Sequence, residues 1–175
     1  ELAALGPVRV MVAPNRFHHL FVDDYSRTFL DARLYGALGL QTKRKDLRFA
    51  GMLGDEPRAE WKGQVHQHLF KGAPLLNEVV FFHPASRTLM LTDLAFNMPT
   101  GVSWGVPFFY RLTAPASGFG PTRLTRWAIR DRRAAYRSLM RILEWDFDRI
   151  VVAHGDVLPA DGRAHLERGF AFLFE

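Results

Sequence analysis

The stretch EVVFFHPASRTLMLTDLAF, residues 78–96, constrains the fold more than any other. Two apolar, β-rich runs flank Pro-Ala-Ser-Arg, a turn signal, so the segment reads as a β-hairpin. It does not stand among strands alone. Further strands are expected at VRVMVA (8–13), ARLYGA (32–37), QVHQHLF (64–70) and DRIVVAH (148–154). Helical spacing runs through HLFVDDYSRTFLDA (19–32), RDRRAAYRSLMRILEW (130–145) and ADGRAHLERGFAFLF (160–174). Strands that alternate with helices around an antiparallel hairpin argue for an α/β sandwich with a mixed sheet. The length, 175 residues, suits one domain over 1–175.

Composition narrows the function classes. No apolar run approaches the ~18 residues of a membrane span. With no cysteine, disulfides, thiolate metal sites and Cys nucleophiles are excluded, and a cytoplasmic setting fits. The opening ELAALGPVRV carries no signal-peptide pattern and reads as the interior of a longer chain. Net charge is +5, concentrated in RLTRWAIRDRRAAYRSLMR (123–141) and TKRKDLR (42–48). Arg alternates there with apolar residues at helical spacing, which reads as a solvated helix face rather than a nucleic-acid surface.

Several polar residues fall at strand ends, where loops of α/β folds converge on ligands. Asn15, His18 and His19 follow the first strand in PNRFHHLF, Asp93 follows the hairpin, and His154 and Asp156 follow the last strand in VVAHGD. Together, His18, His19, Asp93 and His154 would offer three imidazoles and one carboxylate. That set suits one divalent metal, zinc first, with iron or manganese as alternatives. Each residue taken singly reads more readily as an ordinary hydrogen-bonded loop residue than as a ligand.

From VRVMVAPNRFHHLFVDDYSRTFLDARLYGA onward the chain resembles the metallo-β-lactamase fold superfamily, in particular a branch with PN..HH in place of H-x-H-x-D-H. The resemblance implies an αββα sandwich with mixed sheets whose opening strands lie upstream of Glu1. RTLMLTDLAF is similar to the strand that ends in a metal-bridging Asp, and RIVVAHGDV to the strand that ends in the last ligand His. Laid over PNRFHH, the motif puts Pro14 and Arg16 where the first two histidines stand. GAPLLNE, the segment matching GHTPG, also lacks its His. The resemblance therefore implies that one metal site is emptied, while His18, His19, Asp93 and His154 match the other. A hydrolase of a small molecule with a single metal is expected. The alternative is an inactive relative that binds a ligand or partner.

Arg16, beside Asp93, is a candidate catalytic group: its guanidinium could replace the charge of a lost metal or bind a substrate anion. An exposed Arg is the plainer reading. Glu78 reads as an exposed strand-end acid, with a supporting role at the site as the alternative. Asp156 is expected to orient His154. His66 and His68 share a strand face, His83 sits at the hairpin turn, and His165 is expected to be solvated. The Gly-, Pro- and aromatic-rich stretch from Asn97 to Pro121, with Trp104, Phe108, Phe109, Tyr110 and Phe119, reads as a covering loop or lid. Its aromatics could wall a pocket, pack on the core or form a homo-oligomer contact.

Overall fold

The computed structural model describes residues 2–98, 115 and 118–175. The expected lid therefore lies mostly outside the described residues. β1 (Val10–Ala13), α1 (Val22–Thr28), β2 (Arg33–Gly36), α2 (Leu40–Lys43) and β3 (Gly51–Met52) open the chain. Their strands form a small sheet in the order β1-β2-β3, parallel throughout. A parallel pair needs a crossover, and α1 supplies it between β1 and β2. This sheet is all-parallel, where a mixed one was expected. α1 buries none of its residues.

The second sheet is mixed. β4 (His66–Leu69), β5 (Val79–His83), β6 (Thr88–Met90) and β9 (Arg149–Val151) lie in the order β4-β5-β6-β9. β5 and β6 are the hairpin, antiparallel with Phe82 opposite Leu89, and β9 returns parallel to β6. Two short strands, β7 (Phe96–Asn97) and β8 (Phe119–Gly120), pair separately.

α3 (Arg123–Ala128), α4 (Arg132–Leu143) and α5 (Gly162–Gly169) complete the chain. The Arg-rich stretch is two helices rather than one. Thr122 caps α3 by accepting from Thr125 N at 3.0 Å, and Asp131 caps α4 by accepting from Ala134 N at 2.9 Å. α4 buries Ala135, Ser138, Leu139, Ile142 and Leu143, at the spacing of one helical face. Arg133, Arg137 and Arg141 are exposed on it, as the alternation predicts. The buried face packs with Phe70, Val80, Leu89, Ile150 and Phe170 in one core. Each such side chain contributes about 1.5–3 kcal/mol. Among the described residues no helix is long and apolar enough to cross a membrane.

The two sheets are stitched where the site forms. Val79 N donates to Pro14 O at 2.8 Å, and Arg16 N to Leu76 O at 3.2 Å. The end of β1 thus lies against the start of β5.

Candidate metal centre

That stitch brings Asn15 against Glu78. Both are buried, Glu78 at 1% exposure, although it was expected to be an exposed strand-end acid. Its carboxylate accepts from three successive backbone amides of the loop after β6: Thr92 N at 2.8 Å, Asp93 N at 2.8 Å and Leu94 N at 3.1 Å. Burial pushes the Glu78 carboxyl above the usual carboxylate range, against the pull of its hydrogen-bond donors. One buried side chain therefore shapes the loop that presents Asp93.

Asn15 joins both sides. Its Nδ2 lies 3.0 Å from Glu78 Oε2, 2.8 Å from Thr92 Oγ1 and 2.7 Å from Asp93 Oδ2, so three acceptors share two protons. Its Oδ1 accepts from Phe17 N and His18 N, both at 2.8 Å, folding the chain after β1 into a tight turn.

Out of that turn His18 Nδ1 donates to Asp93 Oδ2 at 2.7 Å. His154, beyond β9, donates from Nε2 to the other oxygen, Oδ1, at 3.0 Å. The two imidazoles lie 5.1 Å apart, centroid to centroid. Phe96 stacks on His154 at 4.5 Å with 10° between the planes. Gly155 lets β7 pass close beside His154: its φ is +105°, and a β-carbon there would meet Asn97 O at 1.7 Å. Thr125, on α3, ties that helix to the site by donating to Asp93 O at 3.0 Å.

Burial pushes the Asp93 carboxyl up. The His18 hydrogen bond and charge, with Asn15 and His154, outweigh it and hold the carboxyl below its ordinary range. His18 moves the opposite way: its hydrogen bond to Asp93 raises it, burial opposes, and the Asp93 and Glu78 charges add to the rise.

Of the four ligands expected, the structure brings three together. One donor atom each from His18, Asp93 and His154 lies within 4.8 Å of the others. His19 is turned away: its Nδ1 lies 3.1 Å from Arg44 Nη1, and its carbonyl accepts from the same nitrogen at 2.8 Å. In a tight turn, adjacent side chains diverge, so only one of the pair faces Asp93. Arg16 is turned away as well. A β-carbon at Gly39 would lie 3.5 Å from Arg16 Nε, which places the side chain over the start of α2. Asp156 is exposed and acts through its backbone. Its N–H donates to Asn97 O at 3.0 Å and its carbonyl accepts from Asn97 Nδ2 at 2.7 Å.

The remaining histidines lie elsewhere. His66 stacks on Phe82, and His68 pairs with Asp55 at 3.0 Å. His83 bonds Ser86 at the hairpin turn. His165, expected to be solvated, is half-buried edge-on to Phe119.

The trio fits a divalent ion. Neighbouring ligands of a tetrahedral zinc with bonds near 2.05 Å sit about 3.3 Å apart. The contacts of 2.7 Å, to Oδ2, and 3.0 Å, to Oδ1, reach different oxygens of Asp93, so the side chains would have to shift to place one donor atom each around a single ion. Three protein ligands also leave a fourth position open, as catalysis requires.

No family model and no curated protein sequence matches the chain. Solved structures do match. The DIM-1 metallo-β-lactamase superposes with a TM-score of 0.56 at 16% identity, over 93% of this chain and 66% of that one. A metallo-β-lactamase from Pontibacter korlensis gives 0.61 at 13% identity, over 98% and 72%. The flavodiiron core of Flv1 from Synechocystis sp. PCC6803, in a metal-soaked crystal, gives 0.61 at 11%, over 95% and 43%. The chain thus spans 66% and 72% of the two lactamases and less than half of the flavodiiron core. Two sheets stitched at β1 and β5, helices packed on the mixed sheet and this set of neighbours together identify the metallo-β-lactamase fold.

Proposed function

We propose that the protein is a mononuclear metal-dependent hydrolase of a small substrate, with His18, Asp93 and His154 as the metal's protein ligands. One observation carries this reading: a single carboxylate is shared by two imidazoles that arrive from separate strand ends. Zinc is the first choice, and His with carboxylate also suits iron or manganese. A divalent ion there supplies Lewis acidity, polarising a carbonyl group and lowering the pKa of water.

The chain's own residues supply the rest. Asn15 holds Asp93 Oδ2 in place, and so fixes the orientation of the carboxylate between the two imidazoles. Stacking on Phe96 sets the plane of the His154 ring. His19 and Arg16 receive no role, because His19 is paired with Arg44 and the Arg16 side chain lies over Gly39.

Elemental analysis of the purified, metal-loaded protein tests the reading. About one equivalent is expected, lost in His18→Ala and Asp93→Ala and retained in His19→Ala. No metal under any loading condition would sink it. A second reading, a metal-free binding protein, would then take its place. The observation that favours it is that the three side chains already satisfy one another by hydrogen bonding.

A further inference from the structure

Two apolar grooves meet at Asp93. The first, about 530 Å³, runs past Leu75, Leu124, Trp127 and Ala128. The second, about 680 Å³, is lined by Val12, Leu20, Phe21 and Tyr25. Phe17, Asp93 and His154 line both, so the two grooves adjoin at the candidate centre. Their walls expose large apolar groups: Leu124 is 60% exposed and Phe21 70%. A folded chain does not gain by leaving so much apolar surface in water beside a polar site.

Charge decides between ligands. Among the described residues lining either groove there is no Lys or Arg, and Asp93 is the one acid. Of the cations in contact with lining residues, Lys43 lies over Phe17 at 5.6 Å, Arg130 over Trp127 at 4.0 Å, and Arg44 bonds His19 and pairs with Asp46. Among the described lining residues, an anionic arm would find mostly apolar wall and no Lys or Arg, at a desolvation cost. An uncharged arm gains from burial on either side.

We infer that the substrate is an uncharged carbonyl compound with a hydrolysable bond, of the carboxylic-ester kind, and an apolar arm on each side of it, one arm in each groove. This rests on the hydrolase reading and specifies its substrate class. In the reaction, the oxygen of water bonds to the carbonyl carbon and the carbon–alkoxy bond breaks. One proton of the water passes to the departing alkoxide, leaving an acid and an alcohol. No oxidant or reductant is needed.

Symmetric dialkyl ketones, which keep the carbonyl and two apolar arms but cannot be hydrolysed, are the probe. Their affinity is read by displacement of the neutral fluorophore N-phenyl-1-naphthylamine from the metal-loaded full chain. Affinity should rise about two- to fourfold per methylene added to the arms. Leu124→Glu and Phe21→Glu, both at exposed positions, should each weaken the longest ketone at least about tenfold. Their metal content should stay at that of the wild type, which also shows that they fold.

Affinity independent of arm length, a ketone with one arm ending in a carboxylate bound more tightly than the plain ketone of equal length, or two silent variants would each overturn the inference. Metal uptake with any of these results would leave the hydrolase reading standing. A normal ketone ladder with no metal uptake would instead remove the hydrolase and leave an apolar binding site.

Discussion

Asn15 Nδ2 lies 2.7 Å from Asp93 Oδ2, although the two residues are separated by 78 positions in the chain. The same side chain, through Oδ1, folds the turn that delivers His18. The spacing between His18 and Asp93 is therefore set by a third residue that need not touch a metal. Asn15→Ala removes both constraints and takes one donor from buried Glu78. It should weaken metal binding by about 10- to 100-fold, as outer-sphere losses do, and cost about 1–3 kcal/mol. Chelator competition and urea denaturation measure the two effects; a variant matching the wild type in both would refute the role.

Glu78 offers two acceptor oxygens to the loop, and Gln offers one. In Glu78→Gln the amide must face either Thr92 N–H, or the group of Asp93 N–H, Leu94 N–H and Asn15. At least one donor then meets another donor. The unfolding free energy should fall by about 1–3 kcal/mol without any change in charge at the protein surface. An unchanged denaturation midpoint would show that the loop takes its shape from elsewhere.

The pH dependence of His18 has a defined sign. Its hydrogen bond to Asp93 raises it above the ordinary 6.5. The pair therefore stabilises the metal-free protein fully below that value, and the contribution is lost as pH rises through the raised pKa. Metal needs the neutral ring, so metal affinity runs the opposite way. Calorimetric titration from about pH 6 to about pH 8 should show tighter binding at higher pH, levelling above the His18 pKa. Unfolding of wild-type and His18→Gln protein over the same range should converge as pH rises. A flat metal affinity would contradict the assignment of His18 as a ligand.

Phe96 holds His154 by a stacked face rather than a hydrogen bond. Phe96→Ala frees that ring, and an aromatic pair of this kind contributes about 0.5–1.5 kcal/mol. Metal affinity should drop by about three- to tenfold, while Phe96→Tyr, which keeps the face, should retain it. Equal loss in both variants would mean that the ring plane does not matter.

Much of this fold is legible in the sequence, because its longer strands and the core helix α4 keep their periodicities. β3, β7 and β8 are two residues each, too short to carry any period. α3 does not separate from α4 in the sequence because Leu124 and Trp127 are exposed, so no core-facing stripe marks it. Asp131, lying among arginines, is the signal that could have split the Arg-rich stretch into two helices, since it is the cap of the second.

At the site, the strand ends point to His18, Asp93 and His154. What the residues alone do not convey is long-range. Asn15 works across separations of 63 and 78 residues, which leave no local pattern. Glu78 looks exposed until β1 is laid against β5. The choice between His18 and His19 depends on the turn that Asn15 closes and on Arg44, 25 residues further on.

The loop after β6 takes its shape from Glu78, a side chain of the same chain, and so has that shape before any ion arrives. Under the hydrolase reading, folding and loading would be separate events in time. An ion would enter a finished cradle in a single bimolecular step and leave it without unravelling the sheets. Under the hydrolase reading, the metal found in the protein would reflect which ion was in supply after folding, and a swap of ions would require no refolding.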